Sequence, residues 1–77
     1  MKANTLSKTE LYKRFKFFSY CLEIYKEAKG MRGKAVYELF ARYGVDKFIH
    51  DCYEALHVEG PGATVSEIDE YISARAS

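Results

Sequence analysis

Apolar residues along this chain recur every three or four positions in four stretches, the spacing of amphipathic helices. The first stretch runs from about Lys8 to Ala28. At about 100° per residue, Leu11, Phe15, Phe18, Leu22 and Tyr25 form one stripe, and Phe17, Cys21, Ile24 and Ala28 form an adjacent one. Together they cover about half the cylinder, wider than the apolar face of an ordinary surface helix. This helix is therefore predicted to pack against two elements and to act as the spine of the fold. Lys16, Ser19, Glu23 and Glu27 are predicted to face water, whereas Arg14 falls inside the apolar arc. An arginine placed there either snorkels out near the helix start or pairs with an acid on another helix or on a partner. Residues 1–7 read as an N-terminal tail in which Asn4, Thr5 or Ser7 can cap the first helix.

Gly30 suits a left-handed C-terminal cap, with Lys26 and Lys29 in the preceding turn. A second helix is predicted over about Lys34–Tyr43, with Val36, Leu39, Phe40 and Tyr43 on one face and Gly44 as its stop. A third is predicted over about Asp46–Leu56, with Asp46 as N-cap. Its inner face carries Phe48, Ile49, Cys52, Tyr53 and Leu56, and its outer face Lys47, His50, Asp51, Glu54 and His57. Gly60-Pro61-Gly62 reads as a turn, flanked by arms that form either a small hairpin or a plain loop. A last helix is predicted from about Val65 or Glu67 to Ala74, because Thr64-Val-Ser-Glu67 matches a capping box. The expected architecture is an all-α, compact four-helix single domain spanning residues 1–77.

Composition supports a folded domain. At 77 residues the chain is near the lower limit for a self-sufficient core, but 48% hydrophobic and 16% aromatic content offset its size. The net charge of +1 hides an asymmetry. Residues 1–34 hold nine basic and three acidic side chains, a net of +6, and residues 35–77 hold three basic and eight acidic ones, a net of −5. Such a dipolar molecule suits a charged partner or head-to-tail self-association, unless the halves neutralise each other within the fold. Cys21 and Cys52 are too few for a disulfide scaffold and read as small buried hydrophobes of a reducing, cytoplasmic setting. Neither a signal peptide nor a membrane-spanning run is visible.

The short second helix, the Tyr43-Gly44-Val45 turn and the third helix have the spacing of a helix-turn-helix, and a hairpin after them would resemble a wing. A recognition helix has to bring positive charge to phosphate and hydrogen-bonding side chains to base edges. This one carries Asp46, Asp51 and Glu54 against Lys47, which weighs against nucleic acid as a partner. His50, Glu54 and His57 stand at i, i+4 and i+7, a spacing that can supply metal ligands. No second cluster completes such a shell, and His57 at the helix end suits hydrogen bonding to the last carbonyls. Cys52 and the two histidines project from opposite faces, so no nucleophilic pair is formed. No catalytic constellation and no cofactor-binding motif stands out. Tyr12, Tyr20 and Tyr37 fall on the polar sides of their helices, where a tyrosine is either half-exposed by necessity or part of an interface.

Several spaced elements resemble a bacterial family catalogued as domain of unknown function 3791. They are Phe18-x-x-Cys21-Leu22-Glu23-x-Tyr25, Gly33-x-x-Val36-Tyr37-x-Leu39-Phe40-x-x-Tyr43-Gly44-Val45, Ile49-x-x-x-Tyr53-x-x-Leu56-His57 and Ile68-Asp69-x-Tyr71-Ile72. The resemblance spans about Phe15–Ile72; Gly60-Pro61-Gly62-Ala63-Thr64 departs from the pattern, where an aromatic is common before the last helix. It implies a small helical domain without an enzymatic motif. It also implies a gene neighbour that looks like an ADP-ribosyltransferase, hence an antitoxin-like or regulatory binding role.

The expected function is therefore non-catalytic protein–protein interaction with an adjacent gene's product or with itself. Alternatives are a helix-turn-helix-like nucleic-acid-binding regulator and a homo-oligomeric structural domain. The candidate partner contacts are Arg14, Tyr12, Tyr20, Tyr37, His50, Asp51, Glu54 and His57.

Overall fold

A computed structural model describes residues 6–76, and the described residues form helices and turns without a strand. In chain order the helices are α1 (Lys8–Lys29), α2 (Gly33–Tyr43), α3 (Val45–Asp51), α4 (Tyr53–Leu56) and α5 (Pro61–Ala76). The fold is all-α. Residues 57–60, where a hairpin is one of the two expected forms, make a turn.

The first helix starts where its capping chemistry says it should. Ser7 is extended, and its hydroxyl accepts from the Glu10 amide at 3.1 Å. Ser7-Lys-Thr-Glu10 is itself a capping-box sequence. Asn4 and Thr5, the other possible caps, lie outside the described residues. Gly30 ends α1 at φ 63°, and its amide returns to the Lys26 carbonyl. Gly44 ends α2 at φ 69° and is at once the N-cap of α3. That double role displaces Asp46 from the expected cap into the first turn of α3, where its side chain makes no capping bond.

The predicted third helix is two helices, so there are five rather than four. The break falls at Cys52, whose φ of −104° and ψ of 18° leave the helical region. Neither glycine nor proline marks it. Instead a side chain enters the ladder: Arg14 Nη1 donates to the His50 carbonyl at 2.7 Å. Insertion of this kind is one of the few causes of a sharp helix break.

The last helix begins four to six residues before its predicted start. Pro61 occupies the first helical position, where its fixed φ fits and its missing N–H is not needed. Thr64 is then interior: its amide and its hydroxyl both donate to the Gly60 carbonyl, and its side chain is fully buried. The sequence Thr64-Val-Ser-Glu67 therefore caps nothing.

Cys21 and Tyr25 of α1, Val36 and Phe40 of α2, Val45 and Ile49 of α3, Leu56 of α4 and Ile68 of α5 form the core. Aromatic edges lock it, with Tyr25 and Phe18 meeting Phe40 at 5.3 and 6.3 Å between ring centres. Phe48 stacks on Tyr71 at 4.2 Å, tying α3 to α5. Of the cysteines Cys21 is buried, and burial pushes its thiol up to about 12. Cys52 is only half-buried, because it sits at the break.

Both apolar stripes of α1 run beyond their cover. A helix of 22 residues is about 33 Å long, and the molecule measures 42 × 24 × 22 Å. Phe18, Leu22 and Tyr25 are packed, but Leu11 and Phe15 of the same stripe are 51% and 66% exposed. Phe17 and Cys21 are packed, whereas Ile24 is half-buried and Ala28 exposed.

One polar tie joins α1 to α5 beside the core. Tyr25 Oη donates to Asp69 Oδ1 at 2.6 Å, and Lys29 Nζ lies 2.6 Å from Asp69 Oδ2. Burial raises the Tyr25 phenol, and its bond to the Asp69 carboxylate raises it further. For Asp69, partial burial works to raise the carboxyl, but the bonds from Lys29 and Tyr25 outweigh it and hold it below the ordinary 3.8.

The two kinds of helix-end glycine and the Asp69 tie can each be tested. Gly44→Ala costs about 1–2 kcal/mol, the penalty of a left-handed residue with a Cβ. Gly33→Ala, at a helical position whose added Cβ meets only Lys26 Cδ at 4.0 Å, is neutral or stabilising by up to about 1 kcal/mol. Urea unfolding followed by circular dichroism measures both, and equal effects would refute the assignment. For Asp69→Asn the test is pH. A depressed carboxyl stabilises the fold above its unfolded value of 3.8 and loses that contribution as pH falls through the folded value. Wild type should exceed the variant by about 1 kcal/mol near neutrality, discounted for a carboxylate more than a third exposed. The gap should close below about pH 3.8; a gap that does not change with pH excludes this role.

Candidate interaction surface

Arg14 organises the face where α1 meets α3 and α4. The wheel places it toward the apolar side, and its side chain is 16% exposed. Besides the His50 carbonyl, its guanidinium approaches Glu54 Oε2 at 3.8 Å and covers the Tyr53 ring at 4.8 Å from the centroid. Its Nε stands 3.7 Å from Glu10 Oε1, close enough for an ion pair but too long for a hydrogen bond, so that buried nitrogen has no hydrogen-bond partner. The acid from another helix anticipated by the sequence is thus Glu54, reinforced by a carbonyl and a ring.

Tyr53 extends the cluster. Phe17 meets it edge-on at 5.4 Å, and His57 stacks on it at 4.4 Å. His57 Nδ1–H donates to the Tyr53 carbonyl at 2.8 Å, the end-of-helix bond expected for it. Tyr20 leans on Phe17 at 5.8 Å. The structure thus brings together Arg14, Tyr20, Glu54, His57 and the backbone carbonyl of His50 around Phe17 and Tyr53; the His50 side chain is exposed, and the sequence pattern assigns Tyr53 only to the core.

The remaining candidates lie apart. Asp51 is exposed and bonded to Lys47 Nζ at 2.7 Å; that bond holds its carboxyl low and the Lys47 ammonium high. Tyr12, 61% exposed, has Lys16 Nζ 5.4 Å over its ring. Tyr37, 60% exposed, lines a small cleft with Phe18, Phe40, Ala41 and Asp46. Among the described residues no group of three or more His, Cys, Asp or Glu side chains is placed to hold a metal ion.

Sequence reasoning misses the most prominent surface feature. Leu11 and Phe15 project from the first turns of α1, beside Tyr12, with Lys8 and Lys16 flanking them. Helical spacing shows that they share a stripe, but not that the fold leaves this end of the stripe uncovered. A second feature lies at the other end of α1. There Ile24, Ala28, Pro61, Gly62 and Val65 floor an open apolar groove of about 480 Å3, with Glu23 and Glu27 also lining it.

A family model described as "Protein of unknown function (DUF3791)" matches residues 16–75. The chain belongs to this family. Comparison with curated proteins and with solved structures finds no match. The family match takes in the Tyr53 cluster except Arg14 and Glu10, and the whole of the groove, while Leu11, Tyr12 and Phe15 stand ahead of it. No helix of the described residues is long and apolar enough to cross a membrane.

Arg14→Ala removes a charge-assisted bond to a carbonyl and leaves Glu54 and the Tyr53 ring unpaired, at a cost of about 2 kcal/mol. Arg14→Lys should recover less than half of this, because an ammonium has neither the fork nor the flat face. Chemical denaturation of the two variants decides the matter, and full recovery by lysine would mean that charge alone matters here.

Proposed function

We propose that this domain is a non-catalytic protein–protein interaction module whose docking face is the uncovered end of α1. The observation that carries it is the exposure of Leu11 and Phe15, next to each other one turn apart, with Tyr12 beside them. Isolated exposed apolar residues are ordinary, but three large ones on two adjacent turns form a patch of the kind that partners cover. Aromatic side chains give large contact area at low entropic cost, and the surrounding lysines would steer an acidic partner. Four of the ionisable candidates are instead used within the fold: Arg14 and Glu54 pair with each other, His57 bonds the Tyr53 carbonyl, and Asp51 bonds Lys47. Family membership suggests the product of an adjacent gene, an ADP-ribosyltransferase-like protein, as the partner, with an antitoxin-like or regulatory outcome.

Co-expression with that product followed by affinity capture tests the reading. Wild type should retain the partner at low and moderate salt. Leu11→Asp should weaken retention at least about tenfold, since burying a leucine is worth about 1.5–3 kcal/mol and each 1.4 kcal/mol is tenfold. Its helical circular dichroism should be unchanged, because Leu11 is already half in water. Absence of capture at low salt, or capture indifferent to Leu11→Asp, overturns the proposal.

A further inference from the structure

The two apolar stripes of α1 are uncovered at opposite ends. The stripe through Leu11 and Phe15 lacks cover at the N-terminal end, and the stripe through Ile24 and Ala28 lacks it at the C-terminal end. The first end is a ridge and the second is the floor of a groove, completed by Pro61, Gly62 and Val65 of α5. Their charges are opposite. Lys8 and Lys16 flank the ridge, while Glu23 and Glu27 line the groove. Glu23 has Lys26 at 3.6 Å, but both members of that pair are exposed to an extent that leaves the carboxylate open to exchange.

We infer that the groove between α1 and α5 receives the Leu11–Phe15 ridge of a second copy of this chain. A copy cannot fill its own groove, because ridge and groove are about 20 Å apart along one straight helix. They also face roughly 140° apart around that helix, counting about 100° per residue. A partner presenting its ridge to this groove can therefore keep nearly the same orientation, displaced along the axis. The basic N-terminal end of one α1, at the positive end of its dipole, then lies beside the acid-lined C-terminal half of the next. Such contact is heterologous: each copy offers one ridge and one groove, and the assembly grows rather than closing at two. This inference stands apart from capture of another protein, although the ridge is shared, so a bound partner and the next copy would compete for it.

Sedimentation and light scattering of the purified chain alone test it, over a dilution series and at low and high salt. Wild type should show a mass that rises with concentration above 8.9 kDa and falls with added salt. Phe15→Glu destroys the ridge and Ala28→Arg obstructs and recharges the groove. Both positions are exposed, so circular dichroism should confirm an unchanged fold. Each variant alone should associate at least about tenfold more weakly than wild type. An equimolar mixture should give a discrete dimer and nothing larger, because one intact ridge then meets one intact groove. A wild-type monomer at all concentrations, a closed dimer lost only in Phe15→Glu, or a mixture that stays monomeric each overturns the inference.

Discussion

A small chain that builds its fold around one long helix must cover that helix with what remains. Here α1 takes 22 residues, and its apolar surface comprises two stripes. The other helices have 11, 7, 4 and 16 residues. They pack around the middle of α1, where Cys21 and Tyr25 reach nearly complete burial, and they cannot extend along its whole length. A short domain buries a smaller fraction of its surface than a large one. In this molecule part of that general shortfall falls at the two ends of one element. The exposed ridge and the apolar groove are thus consequences of the same mismatch of length.

Arg14 shows how the N-terminal half of α1 tolerates a charge inside an apolar arc. Its cost is offset by a carbonyl, an aromatic face and two carboxylates on α1 and α4. The carbonyl belongs to a helix that then cannot continue regularly, and the short α4 begins after the break. After that break Tyr53 meets Arg14 and Phe17, and His57 stacks on its ring. A single side chain on α1 thereby shapes the connection between two later elements. The Tyr25–Asp69–Lys29 tie does comparable work at the other end, fastening the last helix across the core.

The elements legible in the sequence are those whose signals are local. Periodicity locates the faces of α2 and α3, and Gly30 and Gly44 mark helix ends because a left-handed residue is needed there. Sequence and structure part where a local signal has two meanings. Gly60-Pro61-Gly62 reads as a turn, but proline also opens helices, and the buried hydroxyl of Thr64 bonds backward into the helix rather than capping it. Capping boxes stand at both Ser7 and Thr64 in the sequence, and only the first caps. Arg14 is recognisable as an anomaly, yet its carbonyl partner is 36 residues away and depends on how the helices pack. Of the site, the composition of the Tyr53 cluster is partly readable and the uncovered ridge is not. A helical wheel says which side chains share a face, and only the lengths of the neighbouring helices say how much of that face is covered.

The distribution of charge gains meaning from this geometry. A split of +6 and −5 between the two parts of a sequence is compatible with internal neutralisation, and part of it is neutralised that way, through Arg14–Glu54 and Lys29–Asp69. The lysines around Leu11 and Phe15 are disposed differently. Lys8 is exposed and Lys16 lies over the Tyr12 ring, so their charge stays at the surface beside the apolar patch. Glu23 and Glu27 keep theirs beside the groove. Charges that surround an apolar contact contribute chiefly to encounter rate and to choice of partner, while the buried apolar side chains supply most of the affinity. Ridge and groove each combine both components, with opposite sign.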